Sequence, residues 1–523
     1  MTTSQAKATA DPAQPHPRLS ALRARLVPSM PRDTVWGWIS PLLVTAFGTY
    51  LRFYRLSVPR SVIFDETYYA ADALGILKFG SEHNYSSHRN DLLARGDPHI
   101  FIRGPEFVAH PPFGKILIAA GEWLFGLTPF GWRFAVAVVG SLSILMTARI
   151  TRRMTRSTLL GCVAGLLLAL DGLEFAMSRT ALLDIFLMFW VLAAFGCLVI
   201  DRDYSRARLV SALERRRPDD AGPKLGIRWW RVLAGVCLGL ACASKWDGIW
   251  YLPAFVLLAV AWDIGARRAA GLNRFVYGGL VRDGRWLLLS MGAIPLVSYI
   301  FAWSGWLFTS GGYDRNWAAQ HGIHTPVISA LVSLFQYNRA MLHFNTTLTA
   351  HHPYQSQPWT WLVISRPVSY YYAGTKFGQD GCHVHACSQE VLAIGTPVIW
   401  WVSIATLVIC VAWWLTQRDW RAGAVLMGVA AGWLPWFFYL SRTKFYFYAV
   451  VFDPFLVMSI ALCLGLLIGS ARAGPLRRSV GAALTGGYLL AALLNFYYLY
   501  PVLAAQVIPY PSWYARMWFS SWI

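Results

Sequence analysis

The chain has 523 residues, of which 56% are hydrophobic and 15% aromatic, while only 14% carry a charge. A typical soluble domain has about 25% charged residues, and the apolar residues here collect into blocks about 20 residues long, enough to cross a bilayer. This excludes a soluble globular protein and predicts an all-α polytopic membrane protein. We assign the formal net charge of +20 to contact with anionic membrane lipids rather than nucleic acid, because most basic residues fall in short loops between apolar blocks.

Eleven apolar segments are predicted to be transmembrane helices, since a bilayer core offers no water to a non-helical backbone. Residues 1–34 precede the first of them and show no cleavable signal pattern, so we expect a disordered cytoplasmic tail. Residues 113–127 are apolar but too short to cross, so we expect an interfacial or re-entrant helix there. The predicted spans lie near 35–54, 131–151, 157–177, 182–200, 230–244, 246–264, 286–308, 391–415, 421–440, 446–470 and 478–499.

The short loops determine the predicted orientation, because Lys and Arg accumulate on the cytoplasmic side. Basic residues crowd the N-terminal tail, the sequence TRRMTR at 151–156, and the segments 201–231 and 263–285. These loops alternate with less basic ones, which predicts a cell-membrane protein with a cytoplasmic N-terminus and an extracytoplasmic C-terminus. Two long loops, 55–130 and 309–390, then lie outside and carry the polar chemistry.

Two adjacent acids, Asp65 and Glu66 in FDETYYA, stand out in the first outer loop. One interpretation is that they cap the next helix, since acids favour a first helical turn. The other interpretation is that the two acids are catalytic. Ionisable residues recur at the predicted outer ends of the spans, and although snorkelling can explain any single one of them, it explains the whole set less well. Cations there would hold a lipid phosphate, while a carboxylate would take a proton from a nucleophile. The recurring residues are His110, Lys115, Arg133, Arg179, Asp184, Lys245, Arg442 and Lys444.

Several motifs between residues 60 and 460 carry a specific resemblance. They are FDETYYA, AHPPFGK, SRTALLDIFLMFW, ASKWDGIW, AHHPYQSQPWTW, SRPVSYYY and SRTKFYFYAVVFDPF, in this order. The sequence resembles the protein O-mannosyltransferases, integral-membrane glycosyltransferases of family 39 with the GT-C fold. The resemblance implies eleven spans and inverting transfer of mannose from polyprenyl-phosphate mannose to Ser or Thr of secreted proteins. The loop 309–390 is too short for the MIR domain of eukaryotic members, so the chain is similar to bacterial ones.

Carried onto this sequence, the resemblance makes Asp65 the catalytic base and Glu66 the second member of the acidic pair. Which of the two acids takes the proton stays open at this point. Arg133 matches a functional arginine by its context, GWRF, and becomes a candidate to hold the donor phosphate. We expect no required cofactor, because the donor is not a nucleotide diphosphate, although a divalent metal held by the acidic pair stays open. The other candidates for substrate binding are His110, Lys115, Arg179, Asp184, Lys245, Arg442 and Lys444.

The second outer loop is expected to form the acceptor side of the site, with Tyr354, Gln357 and Trp359 as candidates. His351 and His352 lie beside them and suggest either a metal or, as we prefer for adjacent loop positions before a proline, hydrogen bonding within a packed loop. In CHVHAC, Cys382 and Cys387 flank two further histidines. A zinc site and a short-loop disulfide both fit, and we expect the disulfide because the outer compartment is oxidising.

Two rival functions compete with protein mannosylation. Another GT-C enzyme, passing a lipid-linked sugar to a glycan or lipid, would share the outer carboxylate and cations. A transporter would place ionisable residues along a permeation path and show inverted repeats of broken helices, which this sequence lacks. The sequence also leaves open whether a second copy of the chain or a Sec translocon stands beside the enzyme.

Overall fold

The structure is a computed structural model that describes residues 17–215, 219–470 and 472–523. Within these ranges the chain folds mainly as α-helices. The first eleven helices are α1 Pro17–Leu26, α2 Trp36–Phe53, α3 Glu66–Phe79, α4 Arg89–Ala94, α5 Phe113–Phe125, α6 Pro129–Thr155, α7 Thr158–Ala169, α8 Gly172–Met177, α9 Asp184–Arg215, α10 Trp229–Ser244 and α11 Tyr251–Ala269.

The second half of the described chain is more interrupted. Its helices are α12 Phe275–Tyr277, α13 Gly284–Leu288, α14 Ile294–Ala302, α15 Ser304–Phe308, α16 Trp317–Gln320, α17 Pro326–Thr347, α18 Pro397–Gln417, α19 Trp420–Trp433, α20 Asp453–Ile468, α21 Pro475–Leu503 and α22 Tyr510–Tyr514. Short 3₁₀ segments occupy Trp246–Trp250, Pro358–Thr360, Leu434–Phe438, Tyr446–Phe452 and Ser520–Trp522, and π-helical turns occupy Gly278–Arg282 and Leu289–Ala293.

Seven of the described helices are long and apolar enough to cross a membrane, or eight if the bent pair Phe275–Arg282 and Trp286–Ala302 is one span. The predicted count of eleven is therefore not confirmed. The predicted span 157–177 shows one reason, because it is divided into α7 and α8. The Asp171 carboxylate accepts the backbone N–H groups of Leu173 (2.9 Å) and Glu174 (3.1 Å), so it caps a new helix within the predicted span.

The N-terminal tail and the loop 309–390, which were not expected to contain regular secondary structure, both contain helices. In the N-terminal tail, α1 lies against α9, and the Arg23 guanidinium binds the Glu214 carboxylate (Nη2–Oε2 2.7 Å). The tail is therefore not wholly disordered, while residues 1–16 lie outside the described ranges. In the second outer loop, the 22-residue helix α17 precedes a β-hairpin, so that loop is largely ordered secondary structure.

In the described part of the chain, five short strands form two antiparallel sheets. One sheet pairs β1 with β2 in the first outer loop. The other has the order β3–β4–β5, with Thr375 opposite Cys387 near the turn of the hairpin. Cys382 and Cys387 form the predicted disulfide and close this turn. The strands are β1 His83–Tyr85, β2 Phe101–Pro105, β3 Val368–Lys376, β4 Ala386–Ala393 and β5 Ile508–Pro509.

The buried core follows α6, α7, α9 and α20, where fully buried aliphatic side chains such as Leu167, Leu187 and Leu456 meet. Helix α6 also connects the two ends of the bundle. Its 27 residues extend about 40 Å at 1.5 Å per residue. Arg133 lies near its first turn and Arg156 at its C-terminal cap, so these arginines mark opposite ends of the helix.

Candidate active site

Asp65 occupies the N-cap position of α3, but its side chain does not cap the helix. Its backbone carbonyl accepts the N–H groups of Tyr68 (3.0 Å) and Tyr69 (3.1 Å). None of the described residues donates a hydrogen bond to its carboxylate or forms an ion pair with it, and the side chain is half-buried. Asp65 therefore presents a free carboxylate, and the capping interpretation does not account for its side chain.

The preceding residue, Phe64, has a left-handed backbone with φ of 45°. This conformation costs a bulky L-residue about 1–3 kcal/mol, so it persists only where surrounding contacts hold it. The Phe64 ring stacks on Tyr370 of β3 (centroids 4.6 Å apart) and lies edge-on to Phe447 (5.6 Å). Aromatic packing against two distant segments thus fixes the turn from which Asp65 projects.

The environment of Asp65 also favours proton exchange near neutral pH. Burial raises the pKa of Asp65 to about 7, while the charge of Lys245 lowers this pKa and that of Asp184 raises it. A carboxyl with such a pKa is available as a base at physiological pH and is basic enough to accept a proton. The two charged neighbours also show that the start of α3 faces the region where α9 begins and α10 ends.

Glu66 has a different environment, because it is fully buried against Arg133. The two side chains form a bidentate ion pair, Nε–Oε1 at 2.7 Å and Nη2–Oε2 at 2.8 Å. The carboxylate also accepts the backbone N–H groups of Ile63 (3.1 Å) and Ala181 (3.1 Å). Glu66 therefore holds the residues around Asp65 against the start of α6. Because its carboxylate is already bonded to Arg133, Asp65 is the acid of the pair that is able to react.

Arg133, the predicted candidate for holding the donor phosphate, is fully buried and bonded within the protein. Besides Glu66, its guanidinium donates to the backbone carbonyls of Leu56 (3.3 Å), Pro59 (2.8 Å) and Ser61 (2.9 Å). All five of its N–H groups are therefore used inside the protein. The sequence made Arg133 a candidate for the donor phosphate but did not indicate its pairing with Glu66.

Lys245 and Asp184, both predicted site residues, form a buried ion pair (Nζ–Oδ1 2.7 Å). The Lys245 ammonium lies 4.0 Å from the centre of the Tyr448 ring and 3.8 Å from the Asp247 carboxylate. Because this ammonium also acts electrostatically on Asp65, it belongs to the same polar cluster. Tyr448 and Asp247 were not predicted, although both lie within motifs that carried the resemblance.

Arg442 lies on the other wall of this cluster. Its guanidinium donates to the backbone carbonyl of Asn345 (2.6 Å) and stands 5.4 Å from the centre of the Trp436 ring. No described carboxylate forms an ion pair with it, so its charge is not neutralised by an acid in direct contact. A cleft lies between these groups and is lined by His110, Lys245, Asp247, Asn345, Trp436 and Arg442, among others.

His110 lies in the same cleft with its Nδ1 atom buried and without a hydrogen-bond partner among the described residues. Burial, reinforced by the charges of Lys245 and Lys115, lowers the pKa of His110 well below its usual range. The imidazole is therefore neutral at physiological pH. It can donate or accept a hydrogen bond in the cleft but does not supply a positive charge.

Three predicted phosphate-binding cations have internal partners instead. Lys115 is buried against the carboxylates of Glu82 and Asp72, and the Nζ–Oδ2 distance to Asp72 is 3.4 Å. Arg179 donates to backbone carbonyls at the C-terminal end of α2, including that of Arg52 (2.6 Å). Lys115 is thus paired with buried acids and Arg179 with the end of a helix, and direct binding of the donor by either side chain stays a prediction.

Lys444 is the third of these cations. Its ammonium donates to the backbone carbonyls of Tyr439 (2.8 Å), Leu440 (2.9 Å) and Arg442 (2.9 Å). This fixes the loop that carries Arg442. Lys444 is therefore a positioning residue next to the cleft, and Arg442 is the cation of this motif that lines it.

The predicted acceptor residues surround the outer side of this region. Backbone pairing between Gln355 and Phe445 joins their loop to the Arg442–Lys444 segment. The Gln357 amide donates to the carbonyl of Leu440 (3.2 Å), and Trp359 is 54% exposed. Tyr354 stacks under Arg366, with the guanidinium 5.1 Å from the ring centre. These side chains border the Arg442 loop, whereas Lys245 and Asp65 lie deeper.

An apolar groove of about 680 Å³ adjoins the polar cleft and shares Trp246 and Ile249 with it. The groove lies between α10, α14 and α17, and its other lining residues include Cys242, Pro295, Leu296 and Phe335. Phe335 is 70% exposed on α17. A charged cleft thus continues directly into an apolar channel on the flank of the helical bundle, a shape suited to a ligand with a polar head and a hydrocarbon tail.

Comparison with known proteins gives a consistent result. A family model described as dolichyl-phosphate-mannose-protein mannosyltransferase matches residues 127–274, and one described as the C-terminal four TMM region of protein-O-mannosyltransferase matches residues 330–522. The polyprenol-phosphate-mannose–protein mannosyltransferase of Mycolicibacterium smegmatis is 38% identical over 504 residues, covering 94% of each chain. The enzyme of that name from Mycobacterium tuberculosis is also 38% identical, over 94% of this chain and 93% of its own.

The fold agrees with the sequence comparison. The structure of the Saccharomyces cerevisiae protein O-mannosyltransferase complex bound to its sugar donor superposes with a TM-score of 0.70 at 15% identity, covering 97% of this chain and 94% of that one. The architecture is thus that of a GT-C glycosyltransferase, a multi-pass membrane enzyme. Within that class, the chain belongs to the protein O-mannosyltransferase family.

Proposed function

We propose that the protein transfers mannose from polyprenyl-phosphate mannose to Ser and Thr hydroxyls of secreted proteins at the outer face of the membrane, with inversion at the anomeric carbon. The observation that carries this proposal is the free Asp65 carboxylate, electrostatically coupled to the Lys245 ammonium of a cleft that continues into an apolar groove. The names of the mycobacterial relatives support the donor and the protein acceptor.

The donor phosphate is proposed to lie beside Arg442. This guanidinium has no carboxylate partner in the described chain, whereas the charge of Lys245 is already matched by Asp184. A lipid phosphate therefore gains most from Arg442, with Lys245, already paired with Asp184, as the second cation. The polyprenyl chain then occupies the groove between α10, α14 and α17, where apolar side chains replace contact with lipid.

The transfer requires a base that accepts the hydroxyl proton and positive charges that stabilise the leaving phosphate. As the acceptor oxygen forms a bond to the anomeric carbon, its proton passes to the Asp65 carboxylate, and the bond from that carbon to the phosphate oxygen breaks. The electron pair leaves with the polyprenyl phosphate, whose growing negative charge the cations stabilise without donating a proton. An ionised carboxylate beside the sugar also favours an oxocarbenium-like transition state.

The acceptor segment is proposed to enter over Tyr354, Gln357 and Trp359. These residues border the Arg442 loop, and an exposed Trp provides a flat apolar surface for a peptide or sugar. The proposed cytoplasmic N-terminus and outer active site are supported by the distribution of Lys and Arg residues in the short loops. Asp65 is proposed to act without a metal, since its carboxylate accepts the hydroxyl proton and the cations of the cleft stabilise the leaving phosphate.

A transfer assay with labelled polyprenyl-phosphate mannose and a Ser/Thr/Pro-rich peptide tests this proposal. We expect label in the peptide with the wild-type protein and a loss of about 10²–10⁴-fold in Asp65→Asn, the usual contribution of a general base. Asp91→Asn, an exposed acid of the same outer loop, is the matched control and should keep full activity. Label found in a lipid or glycan instead would indicate the rival GT-C transferase, and an unconsumed donor would argue against a transferase.

A further inference from the structure

A second cavity, of about 730 Å³, lies at the opposite end of the bundle from Asp65. It is formed where α6 and α20 end and where α7, α19 and α21 begin. Arg156, on its wall, is 23 positions beyond Arg133 along the same helix, or about 35 Å away at 1.5 Å per residue. The cavity is therefore separate from the proposed donor site by about the thickness of a bilayer core.

Four arginines dominate the walls of this cavity, and we call it the basic pocket: Arg156, Arg421, Arg477 and Arg478, with Trp413 and Leu466 between them. None of the lining residues that the structure describes is acidic. Among the described residues, the Arg477 guanidinium donates only to the backbone carbonyl of Leu466 (2.9 Å), and the Arg478 side chain has no hydrogen-bond or ion-pair partner. Both arginine side chains are exposed at the start of α21.

The other two arginines are only partly neutralised. Arg156 binds the Asp203 carboxylate (2.7 Å), but the same carboxylate also serves Arg153 (3.0 Å) and Arg202 (3.3 Å). Arg421 pairs with Asp419 (2.8 Å). Near the pocket, positive charge thus exceeds negative charge, and an anion placed there would be attracted rather than repelled.

An apolar cavity of about 430 Å³ continues from the basic pocket and shares Leu466 and Arg477 with it. It runs along the flank of α18, α20 and α21, where Ile409 and Val480 are 45% and 48% exposed. Ile409 is eight residues before the end of α18, so this part of the apolar cavity lies about 12 Å from that helix end. A small inorganic anion would fill only the basic pocket and leave this apolar surface uncovered.

We propose that this composite site binds one anionic phospholipid. Its phosphodiester lies among the four arginines, and an acyl chain covers Leu466, Ile409 and Val480. Basic pockets between transmembrane helices are suited to acidic headgroups because the headgroup charge and the chain are recognised together. The site needs neither the transfer reaction nor a particular donor lipid, so it stands independently of the proposed function.

Native mass spectrometry of the purified full-length protein with added phosphatidylglycerol or phosphatidylcholine tests this inference. We expect one phosphatidylglycerol to bind preferentially, and its affinity to fall about 30-fold in the double variant Arg477→Gln, Arg478→Gln, which is about 2 kcal/mol for two arginines. Arg418→Gln is the matched control, because Arg418 is an exposed cation at the same end that does not line the pocket. It should bind like the wild type.

A second variant separates a lipid from a free anion. Val480→Trp narrows the apolar cavity and keeps all four arginines, so it should weaken phosphatidylglycerol binding without changing any affinity for inorganic phosphate. Circular dichroism and peptide mannosylation should match the wild type in every variant, since none of these residues lies near Asp65. Equal binding of the two phospholipids, unchanged phosphatidylglycerol affinity in the double variant, or weakening by Arg418→Gln as well would overturn the proposal.

Discussion

Arg133→Met tests whether Arg133 positions the acidic pair or holds the donor. The substitution removes five hydrogen bonds and leaves the Glu66 carboxylate buried without its cation. Removing one partner of a buried ion pair costs about 3–5 kcal/mol. We therefore expect the free energy of unfolding to fall by that amount, together with a loss of activity that reflects misplacement of Asp65.

The double variant Arg133→Met, Glu66→Met removes both charges and should recover much of this stability, because no buried charge remains unpaired. Its activity should stay low, since Asp65 has lost its anchor. Detergent-solubilised protein would be followed by thermal unfolding and by mannosyl transfer, with the exposed Arg103→Met of the same loop as control. An Arg133→Met protein as stable as the wild type, with only a raised KM for the donor, would refute this reasoning and restore direct phosphate binding.

Three further expectations concern charge in the cleft. Burial raises the pKa of Asp65 from 3.8 to about 7. The folded protein therefore holds a proton that the unfolded chain has lost, and its stability falls as pH rises through that interval. Asp65→Asn should raise the unfolding temperature relative to wild type more at pH 8 than at pH 4, and an equal effect at both would contradict this. Arg442→Gln should raise the donor KM at least about tenfold, whereas Lys444→Gln should lower stability by about 1–3 kcal/mol without a selective KM effect; the reverse pattern would exchange their roles. Dialysis against EDTA should leave transfer unchanged, and activity restored only by a divalent ion would require a metal.

Some of this site could be predicted from the sequence because the signal is local. Asp65 and Glu66 are adjacent, the sequence predicts that they follow the first apolar block, and Cys382 and Cys387 are five residues apart. Features of this kind can be predicted from composition, residue spacing and the expected chemistry of the outer compartment alone.

The division of labour between the two acids could not be predicted in this way. Glu66 meets Arg133, 67 residues later in the chain, and Lys245 meets Asp184, 61 residues earlier. Arg179 is used at the end of a helix that lies more than 120 residues before it. A sequence shows that a cation lies at the boundary of an apolar segment. Only the three-dimensional packing shows whether that cation binds a buried acid, binds the carbonyls of a helix end or faces an open cleft.

The secondary structure of the second outer loop was also not predicted. Residues 326–347 form α17, which has an apolar face yet is polar enough to resemble a loop beside the much more apolar spans. The eight-residue and nine-residue strands of the hairpin depend on pairing with each other and not on local preference alone. In a membrane protein, strong spanning signals make such amphipathic elements difficult to recognise.

The dependence of kcat/KM on pH, measured under single-turnover conditions, tests the role of Asp65 most directly. Because the ionised carboxylate must accept the hydroxyl proton, kcat/KM should rise about tenfold per pH unit below an inflection near pH 7 and then level off. Asp65→Asn should lack this inflection and retain only residual transfer. A wild-type profile that is flat between pH 5 and 8, or an Asp65→Asn enzyme with near-normal kcat/KM, would contradict the account.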